Sequence, residues 1–215
     1  MYSHYMNAHN VTDVGVLDKS MAIIAACEAT PMMAADIAET LDLSLPTVHR
    51  LARALTVHGL LARESNGAFR MGARFVSFGL GQIARGPLRT LAENTGEACQ
   101  LWGPRGSNRL CLVSETMPNE LHVELREGTQ LPLADGGTAA RVLNGERTED
   151  GWVLTVSERT QGLTSISAPV ETKDGLVGAV CVVAPVARVG TDLGELFGTR
   201  LLVTASTIER ALSTA

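Results

Sequence analysis

Apolar positions in the first third of the chain recur at the spacing of short helices. Over 16–28, Val16, Leu17, Met21, Ile24 and Ala25 share a predicted face, and Asp18 falls in the first turn, where the positive end of the helix dipole favours a carboxylate. A second stripe, Ala34, Ile37, Ala38 and Leu41, predicts a short helix over 34–42 that breaks at Leu43 and Ser44. Ser44 then suits an N-cap, Pro46 is tolerated in a first turn, and Val48, Leu51 and Leu55 form the buried stripe of a third helix ending near His58 and Gly59. Beyond it, alternating residues at 60–64 and 68–71 flank Ser65, Asn66 and Gly67, which is the pattern of a β-hairpin.

The polar face of that third helix carries Thr47, His49, Arg50 and Arg53. Arg can donate two hydrogen bonds to guanine and Thr can reach a phosphate or a thymine methyl, so this face has the chemistry of a major-groove reader. From Ser44 to Arg74 the chain holds five Arg and one acid, Glu64, a local +4 where the whole chain is −5. Two helices, a capped helix and a basic hairpin follow the order of a winged helix-turn-helix. On this reading Ser44, Pro46, Thr47, His49, Arg50 and Arg53 face duplex DNA, and Arg63 and Arg70 on the hairpin reach backbone or minor groove. The competing reading is a helical hairpin with a solvated basic face. His49 and His58 lack an evident third ligand, so neither a metal nor a cofactor is expected.

Residues 73–85, with Phe75, Val76, Phe78, Leu80 and Ile83, are apolar on more than one side and predict a linking helix. It packs either on its own domains or on the same helix of a second subunit. Gly86 and Pro87 then open a new unit, beginning with a helix that contains Leu88, Leu91 and Ala92 and stops at Gly96. Strands are predicted at 98–102, 109–114, 121–125, 163–170 and 176–184, with helices at 139–143 and 192–212 and a polar loop at 145–151. Strands adjacent in sequence, with helices at the ends, predict an α+β domain with an antiparallel sheet. The expected domains are a disordered tail at 1–12, the winged helix-turn-helix at 13–72, the linker helix at 73–85 and a second domain at 86–215.

Charge separates the two halves. Residues 86–215 hold eleven Lys or Arg and sixteen Asp or Glu (11 − 16 = −5), whereas 1–85 hold seven of each. The acidic half is unsuited to DNA and needs another role. No run approaches the ~20 apolar residues of a membrane span and no secretory leader is visible, so a cytoplasmic protein without membrane contact is expected. Cys27, Cys99, Cys111 and Cys181 contain no Cys-x-x-Cys, which argues against a zinc ribbon or disulfide framework. An enzyme would need Cys181 with His122, or Cys111 with a carboxylate, as nucleophile and base. Cys181 lies in the apolar run Val180-Cys181-Val182-Val183, however, where a thiol is inert.

Several strings in this order resemble the IclR family of bacterial transcription regulators over 14–212. They are Val16-Leu17-Asp18-Lys19-Ser20, Leu45-Pro46-Thr47-Val48-His49-Arg50-Leu51, Phe69-Arg70-Met71-Gly72, Leu131-Pro132-Leu133, Ser165-Ile166-Ser167-Ala168-Pro169-Val170 and Gly175-Leu176-Val177-Gly178-Ala179-Val180. The stretch Gly96-Glu97-Ala98-Cys99-Gln100-Leu101-Trp102 is similar to the actinobacterial subgroup that controls branched-chain amino-acid biosynthesis. The resemblance implies a winged helix-turn-helix, a linker helix and a GAF-like α+β effector-binding and oligomerisation domain. It also implies a homodimer or dimer of dimers on a palindromic operator, with repression relieved or altered by a small carboxylic or amino-acid-related metabolite. Matching positions put the effector pocket along Val123, Gly137, Thr138, Ser165, Cys181 and Val183. Gly136-Gly137-Thr138 would open a helix whose free N–H groups and Thr hydroxyl could hold a carboxylate, with Ser165 adding a bond; alternatively the glycines only make the turn. Cys181 and Val183 replace hydroxylated residues usual in the family, which predicts a more apolar pocket. The segment 143–155 is shorter than is usual in the family, which removes part of one pocket wall and predicts either a more open site or the loss of tight effector binding. An adaptor whose second domain only dimerises or recruits polymerase would instead show a filled core there.

Overall fold

A computed structural model describes residues 12–118, 123, 125–173 and 175–214. The chain forms two compact units, Met1–Val76 and Ser77–Ala215. The first holds α1 (Gly15–Ala26), α2 (Ala34–Thr40), α3 (Leu45–Val57) and a hairpin of β1 (Leu61–Arg63) and β2 (Phe69–Met71). Ile37 and Leu41 of α2, Val48, Leu51 and Leu55 of α3, Leu61 and Phe69 form one buried cluster with Ile23, Ile24 and Cys27. The predicted face of α1 is corrected by this packing: Val16, Leu17 and Met21 are exposed, and Ala22, Ile23 and Ile24 are buried. That helix is apolar on two sides, and the side with two β-branched Ile fills the core. Asp18 does more than face the helix dipole, since its carboxylate accepts the Thr12 N–H (3.1 Å) and hydroxyl (2.8 Å) and ties down the preceding chain.

Ser44 caps α3 by accepting the Thr47 N–H at 3.4 Å, as its position before Pro46 predicts. In the hairpin Leu61 pairs with Met71, Ala62 with Arg70 and Arg63 with Phe69. Its loop closes through Glu64 N–H to the Ala68 carbonyl (2.8 Å) and Gly67 N–H to the Glu64 carbonyl (3.0 Å). This is a three-residue hairpin loop. Met32, between α1 and α2, exchanges both backbone bonds with Phe69 (2.9 and 2.8 Å) and anchors the hairpin to the helices.

The predicted break at Gly86 is absent: α4 runs from Ala73 to Thr95 with Pro87 inside it, and all but its first four residues belong to the second unit. Pro87 forfeits one helical hydrogen bond, a cost of about 3 kcal/mol. Leu80, Ala84, Leu88, Leu91 and Ala92, spaced by four, four, three and one, are buried against the sheet. Three fully buried Leu contribute about 1.5–3 kcal/mol each, which outweighs the lost bond. These residues therefore pack on their own domain.

The sheet is antiparallel throughout, in the order β5-β4-β3-β8-β7-β6. Its strands are β3 (Ala98–Arg105), β4 (Asn108–Glu115), β5 (Gln130–Pro132), β6 (Val153–Val156), β7 (Leu163–Thr172) and β8 (Gly175–Pro185). One face packs on α4 and on α7 (Leu193–Thr214) through Leu101, Val113, Ile166, Ala168, Val180, Val182, Leu201 and Ile208. The other face packs on α5 (Thr138–Leu143) through Trp102, Cys111, Val142, Val153 and Cys181. A four-residue helix, α6 (Val186–Val189), separates β8 from α7.

Two predicted features change. For the strand expected at 121–125, Leu121, His122 and Glu124 lie outside the described residues, and Val123 and Leu125 are not in a strand. The strand next to β4 is β5 instead. The short 143–155 segment contains the edge strand β6, so part of the wall expected to be missing is supplied by the sheet itself. At Leu112 a β-bulge sets Leu101 opposite Val113 but Trp102 opposite Cys111. The extra residue means that Val113 faces α4 and α7 while Cys111 and Arg109 face α5.

Candidate functional site

Ser44, Pro46, His49, Arg50 and Arg53 are all exposed, and the α3 core stripe lies on the opposite side. Thr47 is half-buried, its hydroxyl 2.8 Å from that of Ser44, so both residues are partly committed to the cap. Arg50 and Arg53 make no hydrogen bond or ion pair among the described residues, which leaves two guanidinium groups in water. The hairpin arginines differ. Arg63 donates from Nε to the Gly67 carbonyl (3.2 Å), and its guanidinium lies 5.7 Å from the Phe69 ring centroid. Arg70 donates to the Met71 carbonyl (3.3 Å) and lies 3.9 Å from the Glu64 carboxylate. Because Arg63 pairs with Phe69 and Arg70 with Ala62, the two occupy opposite faces of the hairpin.

In the second unit a cavity of about 50 Å³ lies between α5, the sheet and the β6–β7 loop. Of the residues expected along the pocket, Gly137, Thr138, Ser165, Cys181 and Val183 line this cavity and Val123 does not. Gln100, Trp102, Arg109, Thr155, Glu158 and Arg159 line it as well, and none of these was foreseen. Strand pairing explains how they meet. Ser167, Cys181 and Gln100 form one row across β7, β8 and β3, and Thr155, Ser165 and Val183 form the next. The result is a mixed cavity, in which Gln100, Arg109, Thr155 and Ser165 stand beside Trp102, Leu163, Cys181 and Val183.

Its polar groups largely satisfy one another. The buried Thr138 hydroxyl bonds those of Ser165 (3.0 Å) and Ser167 (2.8 Å), and Ser165 bonds Thr155 (3.2 Å). Gly136 and Gly137 have φ of +71° and +81°, a conformation that L side chains rarely adopt, so they do make the turn into α5. The Gly137 N–H proposed to hold a carboxylate already holds one, that of Glu158 at 3.0 Å, which also pairs with Arg141 at 3.3 Å. Arg109, only 2 % exposed, donates to the Gly136 carbonyl (2.8 Å) and lies 5.1 Å from the Trp102 ring centroid. Its Nε has no partner. Burial, and then the neighbouring Arg159 charge, lower its pKa from the ordinary guanidinium value. The sequence signal for Arg109 was a cation directly before a continuous apolar run, Leu110-Cys111-Leu112-Val113.

Nucleophilic chemistry has no thiolate to work with. Burial pushes Cys111 and Cys99 up to about 12 and Cys27 to about 11, and it raises Cys181 as well. His122, the imagined base, lies outside the described residues. Among the described residues no group of three His, Cys, Asp or Glu could hold a metal, and no helix is long and apolar enough to cross a membrane.

Residues 16–65 match the IclR helix-turn-helix domain. The glycerol operon regulatory protein of Streptomyces griseus is 28 % identical, covering 73 % of this chain and 78 % of that protein. A transcriptional regulator of Rhodococcus sp. RHA1 superposes with a TM-score of 0.57 at 24 % identity, covering 94 % of this chain and 98 % of its own. The IclR of Thermotoga maritima gives 0.53 at 17 %, covering 91 % and 98 %. An IclR homologue from Microbacterium hydrocarbonoxydans, complexed with 4-hydroxybenzoate, gives 0.54 at 18 %, covering 93 % and 100 %. Residues 16–65 thus carry an IclR-type helix-turn-helix domain, the whole chain shares the fold of these solved regulators, and the protein is a DNA-binding transcriptional regulator.

Proposed function

We propose that this regulator binds a palindromic operator in the cytoplasm as a homodimer or dimer of dimers, acting as a repressor whose affinity is set by a small metabolite in the second unit. Arg50, Arg53 and His49 read the major groove, Ser44, Pro46 and Thr47 set the start of α3 against the backbone, and Arg63 and Arg70 contact phosphates from the two sides of the hairpin. The observation that carries the metabolite reading is the cavity walled by Thr138, Ser165 and Cys181, in a unit separate from the DNA-reading face. An adaptor would need no convergent polar groups there. The 4-hydroxybenzoate complex of the Microbacterium homologue supports an organic acid as the ligand class.

Selecting bound sequences from genomic DNA would supply the operator, and half-sites about 34–36 Å apart, or a multiple of this, are expected for a two-fold dimer. Titrating organic acids and branched-chain amino acids with their oxo-acids into that complex tests the effector. Release or tightening by one of them that is lost in Thr138→Val supports the cavity. An operator complex indifferent to the whole panel points to the adaptor.

A further inference from the structure

The cavity contains an electrostatic imbalance. Two guanidinium groups line it, Arg109 and Arg159, and the carboxylate in its wall, Glu158, is already shared between Gly137 N–H and Arg141. Among the described residues no carboxylate lies within 4.0 Å of Arg109, which is 2 % exposed. The Trp102 face and the more distant Asp135 charge compensate part of its charge, but a buried cation ordinarily pairs directly with an anion. A buried donor left open is equally uncommon, and Arg109 Nε is such a donor, on a side chain that lines a cavity whose hydroxyls bond one another.

We infer that Arg109 is the residue that selects the ligand of this cavity, by offering its guanidinium and its charge to one small anion lying beside Trp102. The inference rests on reading the cavity as the effector site and moves the seat of the ligand within it. The Gly137 N–H is filled from inside the molecule by Glu158, so the anion is held from β4 rather than from the start of α5. A volume of about 50 Å³ has room for roughly three waters, which suits an acid of acetate size without movement of the β6–β7 loop. The planar guanidinium matches a carboxylate better than a neutral amide, since the charge-assisted bond is the stronger one.

The test follows the Arg109 Nε–H resonance in full-length protein labelled with 15N-arginine, assigned by its absence in Arg109→Lys. Sodium acetate, acetamide and glycerol are titrated separately at ionic strength held constant with sodium chloride. A saturable shift with acetate, at least tenfold weaker or absent with both neutral probes, is expected. Acetate should also raise the unfolding temperature of the wild type, and Arg109→Gln should lose that increase. An equal response to acetamide or glycerol overturns anion selection. A resonance indifferent to all three, or exchanging with solvent as fast as exposed arginines, overturns Arg109 as the selector. The two readings fail separately: metabolite-driven operator release that survives Thr138→Val removes the cavity itself, whereas release lost in Thr138→Val but kept in Arg109→Gln removes only this inference.

Discussion

Arg50 and Arg63 carry the same charge but are held in different ways, and the difference decides what each can contribute. Arg50 has no protein partner among the described residues, so its full donor set is available to a base edge. Replacing it with Ala should weaken cognate operator by about 1–3 kcal/mol and random DNA by less, as read by competition binding. Equal losses on the two DNAs would reduce it to a phosphate contact. Arg63 is already spent on the Gly67 carbonyl and the Phe69 ring. Its replacement with Ala should weaken all sequences alike, lower the salt slope of binding by about one, and change stability by less than about 1 kcal/mol.

Single elements show where pattern is sufficient and where it is not. The capped α3 was legible because Ser44, Pro46 and the stripe Val48, Leu51 and Leu55 agree with one another, and Ser44→Ala should cost about 1 kcal/mol in denaturant unfolding. The strand expected at 121–125 shows the opposite: five alternating residues fit a strand equally well whether or not a neighbour exists to pair with them, and Val123 and Leu125 are not in one. In the cavity, Thr138, Ser165 and Cys181 were legible through short strings. Arg109 and Trp102 were not, because strand pairing and the bulge at Leu112 decide which face they occupy, and neither is written in local periodicity. Pro87 hid α4 for a related reason: a local breaker is overridden by burial along the whole helix. Pro87→Ala should therefore stabilise the second unit, by up to about 3 kcal/mol. In α7, a Cβ at Gly198 would lie 2.5 Å from Trp152 Nε1, so Gly198→Ala should cost about 1–3 kcal/mol, and Trp152→Leu in that background should recover part of it.

At the scale of the whole molecule the buried thiols set an alkaline limit. Burial raises Cys27, Cys99 and Cys111 in the folded state to about 11, 12 and 12, against 9.0 for an ordinary thiol. The unfolded chain therefore gives up these protons first. Their contribution is complete below about pH 9 and is lost as pH rises toward the folded values, on the order of 1 kcal/mol for each thiol by pH 10. Urea unfolding at pH 7.5 and pH 10 should show this loss, and Cys99→Val should make it smaller by about one thiol's share. The two units can also be followed separately by light. The chain has two Trp, one beneath Arg109 and one against Gly198 of α7, and both belong to the unit Ser77–Ala215. Emission excited at 295 nm is thus blind to the DNA-reading unit, while far-ultraviolet circular dichroism sees every helix in both. If the units melt independently, the two optical signals will give different midpoints on one heating ramp, and operator DNA will displace only the dichroism transition.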